Sequence, residues 1–406
     1  MGKSSGVKIY GYRWVVLVAF MLIAAVTQIL WITFAPISSY VAPLLGVTDL
    51  DVALLSLIFM VVYIPVSIPS AYLIDSKGFR YACGIGAIIT AFFAVLRAWA
   101  SLSLSYPLLL VFSAGIAIGQ PFIFNSPTKI ARRWFPAKDR ALATGLGTMA
   151  IFLGIMLGLL ITPFLTYGIV GFPMMMFIYA AIAGVAAILF IIAAKERPPT
   201  PPEPGEPDEE KMMTGLRRII GIKQFILLEF LFLIGMGIFN GVATWIDLIL
   251  LGRTTDPTQA GIIGAVLILG GIIGAVILPE LSDRHQRRKP YILISLLLAA
   301  PLTFILAYHT DYLILIISSF LLGFFLMPTL PIGLQAGAEM TAPIPEGTSA
   351  GLLMIFGQSG GIILIFAMFF VNEIFLSFFW AMVMLVILNA IAFLVALLFK
   401  ETLPKH

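Results

Sequence analysis

The 406-residue sequence predicts an all-α membrane protein whose twelve spanning helices form two pseudo-symmetric six-helix bundles. Three observations predict this fold class. First, 61% of the residues are hydrophobic and 11% are charged, whereas a soluble domain carries about 25% charged residues. Lipid must therefore solvate most of the chain. Second, apolar runs long enough to cross the hydrocarbon core, about 20 residues each, recur along the whole length. Third, a short polar motif appears twice. Asp75-Ser76-Lys77-Gly78-Phe79-Arg80 follows the second run, and Asp283-Arg284-His285-Gln286-Arg287-Arg288-Lys289 follows the eighth. A duplicated helical bundle is a common plan of secondary transporters.

In order, the runs cover 14–42, 51–74, 81–102, 105–128, 141–166, 172–194, 223–251, 257–280, 290–308, 312–334, 347–371 and 374–399. The first is too long for the apolar core of a cleavable leader and lacks a small-residue cleavage pattern after it, so it is expected to stay as a span. Most connections are a few residues long, which forces antiparallel neighbours. The exception separates the halves. Residues 1–194 form the first bundle and 223–406 the second, with 195–222 as a linker. Lys195 to Glu210 holds six prolines and five glutamates, a composition that favours neither helix nor core and predicts a mobile strap. Thr214 to Ile222 reads as a short amphipathic helix lying on the membrane surface.

Basic residues set the orientation. With the N-terminus inside, only Arg97 and Arg253 of the 24 lysines and arginines fall near the outer face. The sequence thus predicts both termini in the cytoplasm and residence in the cell membrane, as a monomer whose partners are the bilayer and a small-molecule solute. Nucleic acid is not an expected partner, because the positive charge is spread over membrane-side loops. Cys83 is the single cysteine and the three histidines are scattered, so neither a disulfide framework nor a metal centre is expected. No His-Glu-x-x-His and no phosphate-cradling glycine loop occurs. These absences predict no enzyme activity, no cofactor and no ATP-driven step.

The repeated motif places Asp75, Gly78 and Arg80, and then Asp283, Arg284 and Arg288, at inner helix ends. A carboxylate there can accept from N–H groups at a helix start and pair with an arginine across the seam between halves. That predicts a gate, although charged residues at a membrane surface can also serve only to fix topology. Small-xxx-small pairs at Gly154/Gly158, Gly270/Gly274 and Gly357/Gly361 predict close helix contacts, expected at the same seam.

Acidic groups are nearly missing from the helix centres. Glu229 lies six residues from Lys223, about 9 Å along a helix, and Asp247 lies near the outer face. These two residues of the seventh span are the candidates for proton coupling. Arg97 is expected to extend outward. The polar and amphipathic groups at membrane depth are Gln28, Trp31, Gln120, Asn125, Asn240, Trp245 and Gln358. An indole face can hold a cation without a countercharge, worth about 2 kcal/mol when desolvated. Trp31 is therefore either such a face or a packing tryptophan, and Gln358 either a solute contact or an interhelical hydrogen bond.

Six spans, strap and six spans, with the paired loop motifs, resemble the major facilitator superfamily. Within it the chain resembles the feline leukemia virus subgroup C receptor-related transporters. The likeness runs through Tyr12-Arg13-Trp14-Val15, Trp31-Ile32, Tyr63-Ile64-Pro65, Gln120, Pro127 and Trp134-Phe135. It continues in Leu330-Pro331-Ile332-Gly333, Glu339-Met340-Thr341, Glu346-Gly347, Gly351-Leu352-Leu353, Gln358 and Gly361-Ile362-Ile363. The resemblance implies facilitative alternating-access transport of choline or ethanolamine, with haem export also proposed for the family. It places Trp31 on the family's cage tryptophan and Gln358 on its helix 11 glutamine. Phe152 stands where the family has a glutamine, and Ala243-Thr244 where it has a tyrosine, with Trp245 adjacent. The implied activity is a uniporter for a small organic cation or amine. The other reading is a proton-coupled carrier of another solute using Glu229 or Asp247.

Overall fold

The computed structural model describes residues 9–200, 218–219, 221–254, 256–341, 344 and 346–400. The linker from residue 201 and most of the amphipathic helix expected at 214–222 lie outside these residues. Among those described, twelve helices are long and apolar enough to span a membrane, and there is no β-strand. They are α1 (Tyr12–Leu45), α2 (Asp49–Lys77), α3 (Phe79–Leu102), α4 (Tyr106–Trp134), α5 (Lys138–Gly168) and α6 (Phe172–Ala193). The second set is α7 (Lys223–Leu250), α8 (Thr258–His285), α9 (Lys289–Tyr308), α10 (Tyr312–Thr341), α11 (Thr348–Phe375) and α12 (Phe378–Leu398).

All twelve expected spans are present. Several run a few residues past their apolar runs, and α4 and α10 run furthest, each resuming beyond an internal break. α4 breaks at Asn125–Ser126 and resumes at Pro127, and α10 breaks after Leu326 and resumes at Thr329. α2 and α3 are separated by Gly78 alone, whose φ of +91° suits only glycine. α1 changes character midway. Its α-helix ends at Ile32, a 3-10 turn follows at Ala35–Ile37 around Pro36, and a second helix covers Ser38–Leu45.

The chain forms two compact units, and the linker is not the only boundary between them. Unit 1 holds Met1–Thr33, Leu44–Val47 and Leu54–Pro207; unit 2 holds Phe34–Pro43, Thr48–Ala53 and Asp208–His406. The C-terminal part of α1 and the first turn of α2 thus pack with the second half of the sequence. The division falls at the break in α1.

Within unit 1 the main packing pairs are α1–α5, α3–α4, α3–α6 and α1–α6, and within unit 2 they are α7–α11, α8–α10, α9–α12, α9–α10 and α7–α12. Apart from α8–α10, the second set is the first shifted by six helices, which is the duplication seen in three dimensions. Gly154, Gly158, Gly270, Gly274 and Gly357 make close contacts inside their own units. A Cβ on Gly154 of α5 would lie 2.1 Å from the Ala25 carbonyl oxygen of α1, and one on Gly360 of α11 would lie 1.9 Å from the Leu233 oxygen of α7. Gly270 and Gly274 of α8 pack equally closely on Phe320 and Phe324 of α10. Backbones meet there because nothing larger than hydrogen fits. Outward faces carry Val18, Leu22, Phe92, Val95, Ile188 and Ile192, all exposed as lipid contacts should be.

Candidate functional site

Trp31 occupies the last turn of the α-helical part of α1 and is 5% exposed. Its indole Nε1 donates to the Ser56 carbonyl of α2 at 3.1 Å, and the Ser56 hydroxyl donates back to the Trp31 carbonyl at 3.1 Å. The ring is therefore fixed by its edge within unit 1. Gln120 of α4 is buried and Phe152 of α5 is half-buried in the same unit. No hydrogen bond joins Gln120 to Trp31 among the described residues. Asn125 is spent elsewhere. It accepts from Tyr63 Oη at 2.9 Å and donates to Ser67 and Ser70 at 3.3 and 3.2 Å, tying the break in α4 to α2.

In unit 2, Asn240 and Thr244 lie one turn apart on α7. Both are buried, yet Asn240 Nδ2 and Thr244 Oγ1 have no hydrogen-bond partner among the described residues. Buried polar atoms are almost always paired, so an unmet donor and an unmet hydroxyl on one face suggest a guest group. Trp245, next in sequence, points another way. Its Nε1 donates to the Ile365 carbonyl at 3.2 Å, and its ring packs against Phe369 and Phe378 at centroid distances of 6.3 and 5.2 Å. It is a core tryptophan of unit 2. Gln358 sits half-buried on α11.

Asp247 is also buried on α7, and its Oδ2 accepts from the backbone N–H of Ser39 at 2.7 Å. Ser39 is the second residue of the Ser38–Leu45 helical segment of α1, just past the 3-10 turn, where an N–H at a helix start lacks a regular acceptor. Glu229 is buried on α7, with 7% exposure.

Arg97 differs from the expectation of an outward-reaching side chain. It is 1% exposed, and Nη1 donates to the Leu30 carbonyl at 3.0 Å. Arg253 instead closes a helix end. It is part-buried and donates to the carbonyls of Leu306, Ala307 and His309, the last turn of α9.

The two copies of the repeated motif make ion pairs inside their own units. Asp75 is exposed and pairs with Lys129 of α4 at 3.1 Å. Arg80 offers its backbone rather than its side chain: its N–H donates to Glu196 Oε2 at 2.8 Å. Glu196 follows α6 and lies over Gly78, where a Cβ would sit 2.3 Å from its carboxylate. Burial pushes the Glu196 carboxyl above its usual range, against the pull of the Arg80 and Phe79 amides and of Arg133 and Arg197. The start of the linker is fastened, not free, through residue 200. Trp134 Nε1 donates to the Lys195 carbonyl at 2.9 Å, Lys195 Nζ lies 4.5 Å from the Tyr12 ring centre, and Tyr10 meets Thr200 at 3.0 Å.

In unit 2, Arg288 takes the corresponding place. It bonds Asp283 and reaches Glu339 of α10 at 2.7 Å, with 6% of its side chain exposed. Burial opposes its charge, but the two carboxylates hold its guanidinium above the usual value. Arg284 pairs with Glu280 one turn back at 2.5 Å.

Sequence reasoning did not single out Glu196, Ser39 or Ser56 and misplaced Arg97. One signal was available. Lys195-Glu196 ends the first half as Lys400-Glu401 ends the second, a second duplicated motif, although Glu401 lies outside the described residues.

Two duplicated six-helix bundles, each with a charged motif at the same helix junction, are the plan of a multi-pass membrane transporter. More particularly, the chain belongs to the Major Facilitator Superfamily, whose sequence pattern matches residues 16–255 and again 248–406. It is related to the feline leukemia virus receptor branch of that superfamily. Solute carrier family 49 member A3 of Xenopus tropicalis is 29% identical over 377 residues, 89% of this chain and 78% of the relative. The choline/ethanolamine transporter FLVCR2 of Homo sapiens is 27% identical over 381 residues, 88% of this chain and 72% of the relative. Among solved structures, a bacterial homolog of the human lysosomal transporter Spinster, inward-facing and unoccupied, superposes with a TM-score of 0.76 at 17% identity. It covers 98% of this chain and 100% of its own.

Proposed function

We propose that the chain carries a small organic cation or amine, choline- or ethanolamine-like, down its gradient by alternating access. One observation carries this reading. The Trp31 indole, at the position matching the family's cage tryptophan, is anchored by its N–H on Ser56, so its π face is the handle left for a solute. The unmet amide donor of Asn240 and the hydroxyl of Thr244 fit the alcohol oxygen that choline and ethanolamine share. Gln358, Gln120 and Phe152 are the further solute contacts of this reading, and Trp245 supports the α7 face from behind. The motif residues Asp75, Gly78, Arg80, Asp283, Arg284 and Arg288 serve as gating elements. Both termini are cytoplasmic, the protein resides in the cell membrane, and it works as a monomer; the distribution of basic residues supports the orientation.

The test is uptake of labelled choline and ethanolamine into liposomes containing the purified protein, with lumenal pH recorded. Transport without acidification is expected. Trp31→Ala raises the half-saturation about 30-fold if cation–π contact supplies about 2 kcal/mol. An unchanged half-saturation refutes the Trp31 site.

A second reading keeps one supporting observation, the two buried carboxylates of α7, Glu229 and Asp247. It makes the chain a proton-coupled carrier of another solute. Uptake abolished by a protonophore and by Glu229→Gln or Asp247→Asn would select it.

A further inference from the structure

We infer that Arg97 is a positioning residue for Trp31, fixing the peptide that carries the indole and thereby setting solute affinity. The inference rests on the reading of Trp31 as the solute-contacting face.

The α-helical part of α1 breaks one residue past Trp31. A helix that ends leaves its last four carbonyls without intrahelical donors. Here the α-helical part ends at Ile32, and Pro36, four residues on, has no N–H to offer the Ile32 carbonyl. Side chains take three of the freed groups. Thr33 Oγ1 donates to the Ile29 carbonyl at 2.7 Å and more distantly to the Leu30 carbonyl at 3.3 Å, Arg97 Nη1 donates to the Leu30 carbonyl at 3.0 Å, and Ser56 Oγ to the Trp31 carbonyl at 3.1 Å. The Leu30 and Trp31 carbonyls belong to the two peptide groups flanking the Trp31 Cα. Together with the indole bond to Ser56, the residue is held at three points by α2 and α3.

Arg97 is the charged member of this set, and a charge-assisted bond holds a carbonyl more firmly than a hydroxyl does. Its placement is expensive, because a fully buried guanidinium on a membrane helix pays a large desolvation cost. Tyr179 of α6, itself bonded to Thr162 at 2.7 Å, lies close enough to interact with it. A helix break could be closed by serine and threonine alone, as the other two carbonyls show. An arginine at the peptide before the indole fixes the ring against the freedom that the break would otherwise allow.

Two measurements on the full chain in detergent test this. The first needs no solute: the protein is labelled with 5-fluorotryptophan and the Trp31 fluorine resonance is assigned from Trp31→Phe. Arg97→Met should shift or broaden that resonance and leave the Trp245 resonance in place. An unmoved Trp31 signal overturns the inference. The second is a double-mutant cycle on choline affinity. Arg97→Met should weaken binding about 10-fold in the native background, the scale of one hydrogen bond to a charged group. In the Trp31→Phe background it should weaken binding less than about 2-fold, because coupled residues are non-additive. Equal effects in both backgrounds also overturn it. Should Arg97→Met not fold, Arg97→Lys, which keeps the charge and loses the fork, enters both measurements with a smaller effect of the same pattern. A Trp31→Phe protein that binds choline like the native one refutes the solute reading instead, a result separate from the fluorine outcome.

Discussion

The bond between Asp247 and Ser39 predicts a latch on the C-terminal part of α1. Phe34–Pro43 packs with unit 2, and in the first turn of its helical part the Ser39 N–H is held by Asp247 Oδ2 at 2.7 Å. Asp247→Ala removes the acceptor and leaves a backbone donor unmet at a site where the carboxylate is 5% exposed. An unsatisfied buried donor costs about 1–3 kcal/mol, so the population with this segment released should rise about 5- to 150-fold. Asp247→Asn keeps an acceptor oxygen and loses only the charge assistance, and should fall at the low end of that range. Val41 reports on the segment, because it is 0% exposed when the helix is seated. A Val41→Cys protein should react with a thiol reagent at a rate proportional to the released population. Native Cys83 is fully buried and contributes little background. If the labelling rate of Val41→Cys is the same with Asp247 and with Asp247→Ala, in protein of unchanged melting behaviour, the latch does not exist.

Three further outcomes are expected. Glu196 has a carboxyl raised by burial, so the folded state binds its proton more tightly than the unfolded state does. Stability from this group is therefore greatest below the unfolded carboxyl value, about 4.3, and declines as pH rises through the folded one. Glu196→Gln should flatten that part of the melting-temperature profile, and an unchanged slope would refute the buried setting of Glu196. Gly154→Ala and Gly360→Ala each drive a methyl into a backbone carbonyl of the facing helix, and overpacking of this kind costs about 1–3 kcal/mol. Both should lower the melting temperature by similar amounts, since they occupy equivalent helix pairs. Arg288→Met strands Glu339, whose side chain is 15% exposed, and breaking a buried pair costs up to about 3–5 kcal/mol. Adding Glu339→Gln should recover most of the loss in thermal unfolding.

How much of this was readable from the chain varies with the type of feature. The number of the spans follows from apolar runs, and the duplication from Asp75 and Asp283. The ends of α4 and α10 were missed because each helix continues into less apolar sequence, 129–134 and 335–341, where hydropathy falls. Glycine spacing predicted close approach but not the partner. Gly154 and Gly357 meet Ala25 and Met236 inside their own units, because spacing reports a small face and nothing of what lies against it. Arg97 was misjudged for a related reason. Its place near the end of α3 suits an outward-reaching charge, and only the break in α1 reveals the carbonyl that draws it inward.

The amino-acid sequence alone determined that this is a duplicated twelve-helix membrane protein, since hydrophobic length and repeated charge are local properties of a chain in lipid. Tertiary structure alone decided which polar groups meet: Arg97 with Leu30, Asp247 with Ser39, Glu196 with Arg80. Those partners lie 67, 208 and 116 residues apart, and each pairing depends on a backbone group freed by a break or a helix end elsewhere. Hydrogen bonds between distant backbone and side-chain atoms leave no periodicity behind them, so only the packed helices reveal them.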